Sequence, residues 1–384
     1  MVLSFELRAY FYNQLIVETN TDYSYSSTYQ MALSLLQGLI ATPSMSREED
    51  QSAALIFDFL RAQGVDAQRL LHNVYAFNRH FSPHKPTILL NSHHDTVKPN
   101  QGYTRNPFEP SLEAGKLYGL GSNDAGGALV ALIAAFLHFY EREDLHYNLA
   151  LAATAEEECS GTNGIERVLP LIPNPWFAIV GEPTQMQLAV AEKGLLVLDG
   201  VATGKAGHAA REEGDNAIYK ALPDLNWFRT FEFPKISPHL GKVKMSVTVV
   251  HAGQLHNMVP DRCEFTVDIR VTDSYTHEEI LDTVRQCVQA EMTPRSMRLR
   301  SSFIPLAHPV VQAGLALGRQ TYGSPTSSDQ GLIPFPSIKI GPGDSARSHT
   351  ADEFIYIAEI EEGIDLYIGI LEQVHVWAAA SGKE

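Results

Sequence analysis

Cysteine is scarce in this chain: 384 residues carry only Cys159, Cys263 and Cys287. Three scattered thiols build neither a disulfide framework nor a thiolate zinc cluster, and a reducing cytoplasm is the expected compartment. Positive charge is short as well. Lys and Arg number 29 against 45 Asp and Glu, a net charge of −16, whereas a nucleic-acid binder shows a basic patch or stripe. No nucleic-acid partner is expected. No apolar run reads as the ~18 residues a membrane span needs, so no membrane partner is expected either. The glycines form no Gly-Lys-Ser/Thr phosphate loop, and their spacing fits no dinucleotide fingerprint.

What is present suits a globular enzyme of two or three domains, since 44% of the residues are hydrophobic and only 19% are charged. Met1 to Thr28 has no periodic apolar face and is not a secretory signal, so residues 1–27 are expected to form an irregular extension. A helical pattern begins near Thr28 with Leu33, Leu35, Leu36 and Leu39. Ser46-Arg47-Glu48-Glu49 has the form of a capping box and predicts a helix through Leu60 to Gly64. Strands are predicted at Asn73–Phe77, Pro86–Leu90, Leu149–Ala153 and Phe177–Val180, with an apolar helix over Ala128–Tyr140. Strands alternating with helices predict an α/β sheet covered on both faces, with ligands at the carboxyl ends of the strands.

Past Glu192 the pattern changes. Leu195–Val201, Val243–Val250 and Glu264–Val271 read as strands, with helical spacing over Asn216–Phe228 and His277–Met292. The α/β character returns at Ile338–Ile340 and ends in a helix from about Ile357 to Trp377. The expected organisation is one α/β domain, residues 28–190 and 302–384, interrupted by a smaller α+β domain at 191–301.

The chemistry gathers at strand ends. Leu149–Ala153 runs into Glu156, Glu157 and Glu158. Three acids at the mouth of a buried strand repel one another and lose hydration; they are either a solvated turn or a place for cations. Asn91-Ser92-His93-His94-Asp95 follows another strand. Residues two apart on a strand share a face, so Asp95 can support a ligand at His93; alone, either histidine reads first as a satisfied surface residue. Asp124 in Gly121-Ser122-Asn123-Asp124-Ala125-Gly126-Gly127 could be a helix cap. Gly181-Glu182-Pro183-Thr184 and Gly341-Pro342-Gly343-Asp344-Ser345-Ala346-Arg347-Ser348-His349-Thr350 complete the series. Each piece is weak by itself, but together they place imidazole and carboxylate groups at successive strand ends of one sheet.

In that order these segments resemble the dinuclear zinc metallopeptidase family that includes acetylornithine deacetylase, succinyl-diaminopimelate desuccinylase, aminoacylases and carboxypeptidases. The likeness runs from about Leu33 to the C-terminus. It implies a zinc-hydrolase domain with helices on both faces of a mixed sheet, interrupted by a lid domain through which the chain forms a homodimer. It implies that His93 and Glu182 bind one metal, Glu158 and His349 the other, and that Asp124 bridges them through a cis peptide to Ala125. Glu157 would be the general base and Asp95 would orient the site from behind. His208, in Gly204–Ala210, would stabilise the oxyanion in a neighbouring subunit's site, and Asn257, Arg270 and Gly343 would hold the substrate. Carboxylate and imidazole without thiolate suit two divalent ions, zinc first, with cobalt or manganese also compatible.

Two features qualify the likeness. Between Asp124 and the double glycine Gly126-Gly127 stands Ala125, where many relatives carry a bulkier residue and a lysine, and Glu156 stands where relatives often have Asp. Glu182 at a position where aminopeptidases carry Asp is similar to the acyl-amino-acid deacylases. The pattern is most like the acetylornithine deacetylase branch, acting on N-acetyl- or N-succinyl-ornithine or -citrulline in arginine biosynthesis. Carboxypeptidase, dipeptidase and desuccinylase activities are the alternatives within the family. An inactive metal- or amino-acid-binding protein is the alternative outside it, although a pure binding site has no need of the base at Glu157.

Overall fold

The computed structural model describes residues 27–381. The expected extension at 1–27 therefore lies outside the described residues, apart from Ser27. Those residues form two compact units: one contains the chain to Leu188 with 307–320 and the residues from Lys339 on, the other 189–306 with 321–338.

In the first unit, helices α1 (Ser27–Ile40) and α2 (Asp50–Ala62) precede strands β1 (Gln68–Leu70), β2 (Asn73–Phe77) and β3 (Thr87–His93). Helix α3 (Gly127–Phe139), β4 (Asn148–Thr154) and β5 (Pro175–Val180) follow. The strands lie side by side in the order β1-β2-β4-β3-β5. Every residue of β3 and of β4 is buried. That explains their near-continuous apolar sequences, because central parallel strands are covered on both faces. Helix α3 is apolar all round and buried along almost its whole length, as a core helix must be. The stretch Ser122–Phe139 is in fact 18 residues long and apolar enough by composition for a membrane span, against the expectation that none exists, but 89% of it is buried inside the protein. It is the only such stretch among the described residues.

The capping box expected at Ser46–Glu49 is not formed. Glu49 occupies the N-cap of α2, but its side chain makes no cap hydrogen bond. The Ser46 hydroxyl instead donates to Asp95 at 2.7 Å.

The second unit contains β6 (Gly194–Thr203), α4 (Ala217–Thr230), β7 (Lys244–Ala252), β8 (Arg262–Val271), α5 (His277–Cys287) and β9 (Glu291–Pro294). Its antiparallel sheet has the order β7-β8-β6-β9. Buried and less buried residues alternate along β8, and Phe265, Val267 and Ile269 form the core with Phe228 of α4 and Ile280 and Val284 of α5. The helix expected over His277–Met292 stops at Cys287, because Met292 pairs with Gly200 in the sheet. Sheet pairing outweighs helical spacing there. In the first unit again, helix α6 (Ile357–Ser381) closes the described chain.

Candidate metal centre

Strands β3 and β4 run parallel with His93 opposite Thr154. The segments that leave them, His94–Asp95 and Ala155–Glu158, therefore emerge side by side. Asp95 is buried, and its carboxylate accepts the amide N–H of Glu157 and of Glu158, each at 3.1 Å. It also faces Nδ1 of His93 at 3.5 Å, while that nitrogen donates to the Asp95 carbonyl at 3.0 Å. This leaves Nε2 of His93 as the outward nitrogen. Asp95 thus orients one candidate ligand and the turn that carries the next, as an outer-shell carboxylate does.

The other groups arrive from three loops. Asp124 sits in an irregular turn, Ser122–Gly126, and its peptide to Ala125 is cis. Glu182 follows β5, where Gly181 N–H donates to the Asn91 carbonyl at 2.7 Å. The amides of Thr184 and Gln185 then bond the carbonyls of Gly341 and Gly343 at 3.1 and 2.7 Å, tying this loop to the one that carries His349. Gly343 has φ +92, and a Cβ there would stand 2.5 Å from Oδ1 of Asn123. Only glycine suits that approach. The Asn123 side chain bonds the backbone of Asp344 in both directions, donating to its carbonyl and accepting its N–H, each at 3.0 Å.

Around Nε2 of His93 lie Oδ1 of Asp124 at 3.4 Å and Oε1 of Glu182 at 3.7 Å. Nε2 of His349 lies 3.0 Å from Oε2 of Glu158 and 3.6 Å from Oδ2 of Asp124. Asp124 therefore faces both histidines, one with each oxygen. Ligand atoms of His93, Asp124 and Glu158 fall within 4.8 Å of one another.

Nε2 of His93 is buried and, among the described residues, no group meets it in hydrogen-bond geometry, the Asp124 and Glu182 oxygens standing only near it. Leaving such a group unsatisfied is costly. Atoms bonded to one tetrahedral zinc at ~2.1 Å lie about 3.4 Å apart, close to the spacing found here. The residues fit a divalent ion.

The charges agree. Burial opposes the cationic form of the His93 ring, but the carboxylates of Asp124 and Asp95, with the charges of Glu157 and Glu182, outweigh it and hold its pKa well above the usual value. His349 is pushed up to about 9, chiefly by its bond to Glu158. Without metal the acidic cluster keeps protons on its histidines, and protons and metal compete for the same nitrogens.

The structure thus brings together His93, Asp95, Asp124, Glu157, Glu158, Glu182, Gly343 and His349. The remaining candidates lie in the second unit. Gly207–His208 pairs with Met258–Val259, and Ala209 N–H donates to the Asn257 carbonyl at 2.9 Å, so His208 and Asn257 are neighbours. Nδ1 of His208 accepts the N–H of Ala210 at 3.1 Å, which leaves Nε2 as the ring's donor. Arg270 is engaged by Asp268, two residues away on one face of β8, through Nε and Nη2 at 2.8 and 3.0 Å.

Sequence reasoning missed Glu353. It is buried and accepts the N–H of Gly121, Asn123 and Asp124 at 3.0, 2.8 and 2.9 Å. Burial first, and then the charge of Asp124, push its pKa up to about 7 against the pull of those amides. Its partners lie some 230 residues earlier in the chain, and no local pattern marks it.

Residues 89–373 match the model of peptidase family M20/M25/M40. The chain is 26% identical to succinyl-diaminopimelate desuccinylase of Thioalkalivibrio sulfidiphilus, over 90% of this chain and 99% of the relative. It is 28% identical to acetylornithine deacetylase of Proteus mirabilis, over 88% and 96%. Among solved structures, it shares its fold with the Bacillus subtilis YXEP protein, described as a dinuclear metal binding peptidase of family M20. The TM-score is 0.69 at 17% identity, covering 91% of this chain and 98% of the other.

Proposed function

The chain belongs to peptidase family M20/M25/M40, and from that premise we propose that it hydrolyses the amide of an N-acyl amino acid, releasing the free amino acid and a carboxylate. The preferred substrates are N-acetyl- or N-succinyl-ornithine or -citrulline, which places the enzyme in arginine biosynthesis in the cytoplasm. The observation that supports this most is the meeting of His93, Asp124 and Glu158 beside Glu157, whose amide rests on the same Asp95 carboxylate as that of Glu158.

In this proposal His93 and Glu182 hold one divalent ion, Glu158 and His349 a second, and Asp124 serves both. Two ions offset four of the five negative charges on Asp95, Asp124, Glu157, Glu158 and Glu182. Zinc is the preferred metal, with cobalt and manganese compatible. Bound there, such ions acidify water and polarise the amide carbonyl. Glu157 takes the proton of the attacking water and returns it to the leaving amine. The Nε2–H of His208 donates to the developing oxyanion. Asn257, Gly343 and Arg270 hold the substrate carboxylate, Arg270 with the edge of its fork that Asp268 leaves open.

The site is completed between two copies of the chain, residues 191–301 acting as lid and dimerisation domain and 28–190 with 302–384 as catalytic domain. Strand β7 supports this reading, because it is an edge of its sheet and exposes Val249 and Val250, and an edge strand offers unpaired backbone to a second chain.

The test is a screen of N-acetyl- and N-succinyl-ornithine, -citrulline and -diaminopimelate, with C-terminal dipeptides alongside, for released amine. Preferred turnover of an acylated ornithine or citrulline supports the proposal. Preference for succinyl-diaminopimelate or a dipeptide moves the enzyme to another branch of the family. Metal binding without turnover of any of them would indicate a binding protein.

A further inference from the structure

The acidic turn Glu156–Glu158 hangs on two buried carboxylates, and only one of them belongs to the strand ends described above. The second and third amides of the turn donate to Asp95. The first, Glu156 N–H, donates to Oε1 of Glu49 at 3.1 Å. Glu49 is wholly buried. The same Oε1 accepts the N–H of Arg47 at 2.6 Å, and Oε2 meets Nδ1 of His72 at 2.7 Å. Glu156 itself has φ 58, a left-handed conformation that a side chain other than glycine rarely adopts. Its carboxylate is tied back to Asn163, accepting from the backbone N–H at 3.3 Å and from Nδ2 at 3.0 Å.

For packing alone, a carboxylate is a poor choice here. Burying Glu49 adds negative charge beside a segment already crowded with acids, where a neutral or apolar side chain would avoid that cost. What Glu49 supplies is an acceptor at the first amide of the turn. With both posts in place, three successive peptide planes are fixed, and with them the directions in which Glu157 and Glu158 leave the backbone.

We propose that Glu49 is a positioning residue for the metal centre: by holding the Glu156 amide it sets the turn that presents Glu158 to the metal and Glu157 to the substrate. The inference rests on the functional reading of those two glutamates. It also accounts for the missing capping box, since Ser46 and Glu49 are both engaged with the site, one on Asp95 and the other on Glu156.

The experiment compares Glu49→Gln, Glu49→Asp and Glu49→Leu in the full-length protein. Gln keeps the acceptor, because its Oε1 can take both amides, while its Nε2 can donate to Nδ1 of His72 once that ring carries its proton on Nε2 instead. Asp keeps the charge but withdraws the acceptor by one methylene. Leu keeps the approximate volume and has no acceptor. Zinc affinity, read by competition with a chromophoric chelator, is expected to fall roughly 10–100-fold in Leu and Asp, the usual effect of removing an outer-shell partner, and to stay within about threefold in Gln. Turnover on the cleaved substrate should follow the same order, with KM little changed. A folded Leu or Asp variant with wild-type zinc affinity overturns the inference, as does a Gln variant that falls as far as Leu. If Leu fails to fold, the comparison of Asp with Gln decides it. Zinc affinity is read without substrate, so a chain that hydrolyses none of the amides leaves this comparison intact.

Discussion

Two glutamates that are neighbours in sequence carry different chemistry here, and substitution should separate them. Glu157→Gln is expected to leave metal content unchanged and to lower turnover by roughly two to four orders of magnitude, the usual worth of a general base. Glu158→Gln is expected to lose metal. The opposite pattern, measured by metal analysis of the two variants, would exchange their roles. A second residue governs stability rather than chemistry. His277 is buried at the start of α5, its Nε2 without a hydrogen-bond partner among the described residues, and burial, aided by the charge of Arg300 and opposed by Glu278, lowers its pKa to about 4. An unfolded histidine titrates near ~6.5. Between those values the unfolded chain binds more protons than the folded one, so stability is complete above ~6.5 and declines as the pH falls towards 4. The loss should reach about 2–3 kcal/mol, the order set by the size of the shift. Urea unfolding across this range should show a shallower acid decline for His277→Gln than for the wild type; identical slopes would contradict the assignment.

At the level of elements, two motifs with the same spelling behave differently. Thr276-x-x-Glu279 forms a true capping box, with Glu279 N–H on the Thr276 hydroxyl at 3.1 Å and Thr276 N–H on the Glu279 carboxylate at 2.8 Å. Thr276→Ala should therefore cost about 1 kcal/mol in unfolding free energy. Ser46→Ala should remove no helix cap, its effect appearing through Asp95; a lowered stability in Ser46→Ala with the site unperturbed would contradict this. The contrast shows what a sequence can reveal. The strands that position the site were legible because seven consecutive buried residues in each of β3 and β4 leave a nearly unbroken apolar record. Their acidic and imidazole ends were legible because those residue types follow the strands directly. Glu49 and Glu353 were not, because the amides they hold at the site are 107 and about 230 residues away, brought near only by the fold. Ser46 was misread for the same reason: its partner lies 49 residues on, and the local motif suggested a nearer one.

On the scale of the whole molecule, the proposal joins a metal centre in one unit to an oxyanion donor from the lid of a second copy. Mixing His208→Ala with Glu157→Gln should then restore activity, because a mixed dimer contains one site with both groups intact. His208→Ala alone should cost on the order of a hundred- to a thousandfold in turnover at normal metal content, the usual worth of one oxyanion donor. No recovery despite proven subunit exchange would show that His208 does not serve a partner's site. Beneath that arrangement lies the central claim, that His93, Asp124, Glu158, Glu182 and His349 hold the ions on which hydrolysis depends. The most direct measurement is a metal titration of chelator-treated protein, following released amine against bound metal. No activity is expected without metal, and full activity at about two equivalents of zinc or cobalt per chain, as a two-metal site requires. Full activity in metal-free protein would contradict it.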